Sequence, residues 1–146
     1  MKIYSENKKA GFDYEILERF EAGIVLFGQE VKSIRTGHIN LSGTYVALNG
    51  EEIFLVGVRI PPYQPNNAGG GYKEERPRKL LLTKKEINEL IGKTKQKGFS
   101  LIPLKVYDNN GRIKLEFGLA RGKKQYNKKE SIKKREVNRE IHRMGV

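Results

Sequence analysis

Cysteine is absent from the 146 residues. That excludes a disulfide framework, cysteine-ligated zinc, iron–sulfur clusters and thiol catalysis. Histidine is scarce, and His38 and His142 stand too far apart in the chain to make a metal motif. Long apolar runs are missing as well. None exceeds about five residues, whereas a membrane-crossing helix needs roughly 20. Met1 to Gly11 is polar with no apolar core, so no signal peptide is expected. There is no HExxH, no Walker A loop and no Ser–His–Asp spacing. These absences leave a soluble, cytoplasmic, monomeric protein with no cofactor, no metal, no membrane partner and no catalytic residue as the expectation.

What is present is positive charge. Twenty-nine Lys and Arg face 17 Asp and Glu, a net of +12. The excess is uneven: Arg121 to Val146 holds ten Lys/Arg against three Glu, while the first 120 residues hold nineteen against fourteen. Such a surplus points to a polyanionic partner, nucleic acid before membrane. Hydrophobic residues make up 37% of the chain and charged ones 32%, polar for a globular protein but not enough to call it disordered. The length suits one domain, and at this size folding buries about 68–70% of the unfolded surface.

Along the chain, short strand-like runs alternate with turns. Tyr14 to Phe20 reads as a strand that continues through Ala22-Gly23 into Ile24 to Phe27, and Gly23 suggests a bulge or a bend. Thr44 to Leu48 and Glu52 to Val58 flank Asn49-Gly50, a hairpin signal. Phe99 to Tyr107 and Arg112 to Leu119 flank a second turn, Asp108 to Gly111. Ile113, Leu115, Phe117 and Leu119 alternate with Arg112, Lys114, Glu116 and Gly118, which turns one strand face to a core. Two helices are expected. Gly28 to Thr36 carries Val31 and Ile34, with Gly37 as its stop. The other starts at a capping box, Thr83 with Glu86, carries Ile87, Leu90 and Ile91, and ends near Gly98. At least five strands and two helices with hairpins favour an antiparallel barrel.

Two segments look irregular. Pro61 to Lys79 holds four of the five prolines and Gly69-Gly70-Gly71, and is expected to be a long mobile loop. After Gly122 the chain is rich in lysine, with Ile132, Val137, Ile141 and Met144 as scattered apolar residues. They cannot offset an ordering cost of about 1–2 kcal/mol per residue. Residues 1–122 are therefore expected to form the folded domain, and 123–146 a tail that is disordered when free and helical on a partner.

Few groups suggest chemistry. Glu51-Glu52 and Glu74-Glu75 are carboxylate pairs in turn or loop contexts, and the glycine run lacks the strand–loop–helix setting of a phosphate cradle. Arg121, Lys123 and Lys124 follow the last strand, where they reach phosphates, and Tyr126 is placed to stack on a base. A solvated tail is the plainer reading of the same charge. Glu30, in Gly28-Gln29-Glu30-Val31-Lys32-Ser33, either caps its helix locally or accepts from a base amino group.

Several blocks in order resemble one family. They include Asn7-Lys8-Lys9-Ala10, Tyr14 to Glu18, Phe20-Glu21-Ala22-Gly23-Ile24 and Gly28 through Gly37. Arg78-Lys79-Leu80-Leu81-Leu82, Leu90-Ile91-Gly92-Lys93, Pro103 to Tyr107 and Gly118 to Lys124 complete the set. Over nearly the whole chain they resemble small protein B, the bacterial tmRNA-binding (SsrA-binding) family. The resemblance implies a mainly β fold: a closed antiparallel Greek-key barrel, partly similar to the OB-fold, with peripheral helices. It implies a non-enzymatic adaptor of trans-translation. Such a protein binds the tRNA-like domain of tmRNA and brings alanyl-tmRNA to ribosomes stalled on messages without a usable stop codon. Its tail enters the vacant decoding centre and mRNA channel of the small subunit.

The family's tmRNA-contact pattern falls on Glu30, Leu90 and Lys123, with Lys32, Arg35 and Lys124 as phosphate contacts nearby. Leu90 also suits core packing. The ribosome-reading pattern falls on Tyr126, whose ring would stack in the decoding centre, and on Asn127, Lys128 and Lys129, with Lys133, Lys134 and Arg135 further along. The family's Asp-Lys-Arg here reads Asn127-Lys128-Lys129, which removes a carboxylate and an Arg fork. Its Asp-Pro is also missing, with Lys73-Glu74-Glu75 in that region. The competing reading is a general single-strand RNA or rRNA-binding OB-like module. An RNA-processing enzyme lacks any acid–base pair or metal cluster to support it.

Overall fold

Both hairpins form, but their turns differ from those the sequence predicts: the first closes on Gly50-Glu51 rather than Asn49-Gly50, and the second on Asn110-Gly111 rather than on Asp108 to Gly111. In the computed structural model, which describes residues 2–63, 71–95 and 98–122, β3 (Tyr45–Asn49) pairs with β4 (Glu52–Val56). β6 (Phe99–Asn109) pairs with β7 (Arg112–Gly122). Asn110 and Gly111 both have positive φ, 54° and 78°, as the two-residue turn that matches strand twist requires. The other strands are β1 (Ile3–Glu6), β2 (Tyr14–Ile24) and β5 (Arg78–Leu81). All pairings are antiparallel, and the order is β1-β6-β7-β2-β5-β4-β3. Among the described residues no ladder joins the edge strands β1 and β3, so the sheet is an open one of seven strands and not the expected closed barrel. It curls enough to bring β3 near β6 without pairing.

Three register shifts interrupt the ladders, and one of them, between Ile3 and Ser5 of β1, lies at the sheet edge. β2 shifts register between Ile16 and Glu18, and β6 between Pro103 and Lys105. An extra residue in a strand reverses which face the following side chains take. Before the bulges, Ile16, Ile102 and Leu104 pack with Ala10 and Ala120 in a small cluster. Beyond them, Phe20, Ala22 and Val106 join Leu115 and Phe117 in the main core. Gly118 of β7 lies between the bulges. A Cβ there would sit 2.8 Å from Ile16 Cγ2 and 3.3 Å from Leu104 Cδ1, so only glycine fits without displacement. The expected bulge at Gly23 is thus found six residues earlier, around Leu17. Gly23 itself pairs regularly with Lys114.

Among the described residues three helices flank the sheet: α1 (Ala10–Asp13), α2 (Gly28–Arg35) and α3 (Lys84–Thr94). α3 has the expected capping box. Thr83 Oγ1 accepts from the Glu86 amide at 3.2 Å, and the Glu86 carboxylate accepts from the Thr83 amide at 3.1 Å. α2 ends before Gly37, whose φ of 90° stops the helix. Ile34 and Leu90 seat the two longer helices on the main core, both fully buried.

Of the expected mobile loop, 61–79, residues 64–70 lie outside the described residues, and the part after them is corrected. Arg78 and Lys79 belong to β5, and residues 72–77 are tied down by the hydrogen bonds described next. Among the described residues no helix is long and apolar enough to cross a membrane. The expected tail, 123–146, lies outside the described residues.

Candidate nucleic-acid interface

The chain places a carboxylate at the third residue of α2, where the helix's free amides favour an anion. Glu30 Oε1 accepts from the Phe27 backbone amide at 2.8 Å. Phe27 has no side-chain acceptor, so only half of a capping box forms. The rest of the carboxylate is claimed from far along the sequence. Arg76 Nη2 donates to Oε1 at 2.6 Å. Arg78 donates to Oε2 from Nη2 at 2.5 Å and from Nε at 3.1 Å. The Tyr72 hydroxyl stands 3.1 Å from Oε2 and 2.6 Å from the Ile60 carbonyl.

Glu30 and Arg78 are both at 0% exposure. A buried pair of this kind needs its remaining donors satisfied. Arg78 Nη1 meets that need at the carbonyls of Val58, Glu74 and Arg76, at 3.2, 2.7 and 2.8 Å. Burial alone would raise the Glu30 carboxyl. The Phe27 amide and the Arg78 and Arg76 guanidiniums outweigh burial and hold it below its usual value. Burial, with the Glu30 charge beside it, pushes the Tyr72 phenol up. Arg76 also lies over the exposed Phe27 ring, 4.1 Å from its centroid.

Glu30 therefore presents no side-chain surface to a partner in this structure; it ties α2 to residues 72–78. Leu90 is likewise fully buried in the main core. Lys32 is exposed on α2 and has no ion-pair partner among the described residues. Arg35 Nη2 donates to the Gly111 carbonyl at 2.8 Å and lies 3.6 Å from Asp108, so it joins α2 to the β6–β7 turn while staying 45% exposed. Lys123, Lys124, Tyr126, Asn127, Lys128, Lys129, Lys133, Lys134 and Arg135 lie outside the described residues. Only the point from which they depart is seen: Gly122 ends β7 opposite Tyr14 of β2.

Sequence reasoning missed Phe27, Tyr72, Arg76 and Arg78. A signal for Arg78 was available. Read as a strand, Arg78-Lys79-Leu80-Leu81 turns Arg78 and Leu80 inward together, and a cation facing a core demands a carboxylate.

These elements define a small antiparallel β-protein in which a buried ionic brace ties α2 to segment 72–78. The family model described as SmpB protein matches residues 4–145. An SsrA-binding protein of Syntrophobacter fumaroxidans is 50% identical over 143 residues, covering 98% of this chain and 88% of that one. That of Thermosynechococcus vestitus is 48% identical over 143 residues, with 98% and 94% covered. A solved structure described as "tmRNA-SmpB: a journey to the center of the bacterial ribosome" superposes with a TM-score of 0.67 at 44% identity, covering 87% of this chain and 92% of that one. The chain belongs to the SmpB family.

Proposed function

We propose that this chain is the tmRNA-binding adaptor of trans-translation. It binds the tRNA-like domain of tmRNA, brings alanyl-tmRNA to stalled ribosomes in the cytoplasm and lays its tail in the vacant decoding centre and mRNA channel. It acts by binding, without catalysis. The observation that carries this reading is family membership over nearly the whole length, with relatives that are SsrA-binding proteins at about 50% identity. Charge supports it, since the cations after residue 120 suit a channel lined with phosphate.

Within this reading the curled sheet is the rigid body, residues 1–122, that stands beside the tRNA-like domain. Lys32, Arg35, Lys123 and Lys124 contact its phosphates. Glu30 and Leu90 act as positioning residues: Glu30 holds segment 72–78 and Arg76 in place, and Leu90 fixes α3. Tyr126 stacks on a decoding-centre base, and Asn127, Lys128, Lys129, Lys133, Lys134 and Arg135 follow the mRNA channel.

Truncation after Gly122 tests the division of labour. The truncated protein is expected to lose tagging of stalled products while retaining binding to the tRNA-like domain, read by filter binding at fixed salt. Tagging at the full-length level defeats the tail's role. Equal affinity of the full chain for the tRNA-like domain and for an unstructured RNA of the same length favours the general RNA-binding module instead.

A further inference from the structure

A groove of about 320 Å³ opens between α2 and the adjoining ends of β2, β5 and β7. Its size lies at the lower end for small-ligand sites, roughly 300–1,000 Å³. The lining has two parts. Ile24, Leu26, Val31, Leu81 and Ile113 make an apolar surface, and Arg35, Arg112 and Lys114 supply the charge. Among the described residues no carboxylate lines it. Leu81 is 54% exposed although it sits in a strand. Lys114 Nζ reaches over Gly23, 3.8 Å from where a Cβ would stand, so the missing side chain leaves the ammonium beside the groove. Among the described residues Arg112 and Lys114 have no ion-pair partner.

An apolar concavity beside Arg112 and Lys114, neither of them ion-paired among the described residues, and Arg35, which pairs with Asp108, fits an anion with a flat apolar body. Inorganic phosphate has no use for the apolar part, and an apolar peptide none for the cations. RNA offers both in one unit wherever a base leaves the helical stack, and unstacked bases are what proteins read in RNA. Resting on the RNA-binding role proposed above, we infer that the groove takes one unstacked nucleotide of the bound RNA. The base lies against Leu81 and Val31, and its phosphate on Arg112 and Lys114. Arg35, fixed to the Gly111 carbonyl, holds α2 and the β6–β7 turn at the spacing the base requires.

The test uses the full chain and a transcript of the tRNA-like domain of tmRNA, intact and with an abasic site at each unpaired nucleotide in turn. One abasic position is expected to weaken the wild type. Leu81→Ser should weaken binding of intact RNA roughly 5- to 20-fold, the lower part of the range for a base on an aromatic ring, because Leu81 offers only aliphatic contact. It should show no further loss at that abasic position, the mark of two groups in contact. Arg112→Ala and Lys114→Ala should each reduce the slope of log affinity against log salt by about 0.7, while Leu81→Ser leaves the slope alone. A Lys84→Ala/Lys85→Ala control on α3 should weaken intact and abasic RNAs equally. Leu81 and Arg112 are exposed, so the fold survives these changes, as an unaltered melting temperature verifies. If the wild type does not prefer the tRNA-like domain to unstructured RNA, the functional reading falls and the groove with it. If that preference stands but Leu81→Ser keeps wild-type affinity and the wild-type abasic profile, the groove assignment alone is overturned.

Discussion

The two ends of the β2–β7 ladder hold ion pairs of opposite character. Beyond the Gly23↔Lys114 end, the chain enters α2 and the Glu30–Arg78 pair, which has no exposed surface. At the Tyr14↔Gly122 end, Arg121 faces Glu15 across the ladder at 2.9 Å, with both side chains 53% exposed. Lys114 and Gly122 are eight positions apart, up to roughly 26 Å at 3.3 Å per residue. Over that span the environment changes from a core that forbids an unpaired charge to a surface that hardly registers one. Rigidity is thus concentrated where α2, β5 and segment 72–78 meet. The other end of the ladder carries only a half-exposed pair.

The largest expected break in this comparison is loss of one buried partner. Arg78→Ala or Glu30→Ala should cost about 3–5 kcal/mol, because the survivor stays buried and unpaired. Urea denaturation measures it. Replacing both together with apolar residues of similar volume should recover most of the loss. RNA affinity should remain low in that double variant, since Arg76 and Tyr72 have lost their anchor.

Gly118→Ala comes next. Its Cβ would stand 2.8 Å from Ile16 Cγ2 and 3.3 Å from the Glu18 carbonyl, so about 1–3 kcal/mol should be lost to overpacking between the two bulges. The same urea titration reads it.

Acid sharpens the contrast more gently. The folded-state value of Glu30 lies below its usual 4.5. Its contribution is complete above that pH and is lost as the pH falls through the lowered value. Melting temperature should drop on acidification below about 4.5, and Glu30→Gln should flatten that part of the profile. Glu15→Gln, at the exposed end, is expected to change stability least, by about 0–1 kcal/mol, with the remainder screened by salt.

How much of this was legible in the sequence depended on distance along the chain. The Thr83–Glu86 box joins residues three apart and was readable, and so was the second hairpin, although its turn closes on Asn110-Gly111 alone rather than on Asp108 to Gly111. β1 and α1, four residues each, carry too little periodicity to register. The bulge was misplaced because glycine marks freedom to bend, whereas the bend lies where Gly118 on the neighbouring strand admits two crowded side chains. Glu30 was singled out as either a local cap or an RNA contact. Its main partners, Arg76 and Arg78, lie 46 and 48 residues away, inside a segment read as loop.

By itself the sequence determined the charge, the antiparallel hairpins, the helix caps and the family, since each is written in residue type and short spacing. Tertiary structure alone decided which charges are buried and which are free. That outcome depends on what the folded chain brings from far away to exclude water. Arg78 and Lys79 are neighbours in one strand, yet the first is sealed against Glu30 and the second stands in solvent.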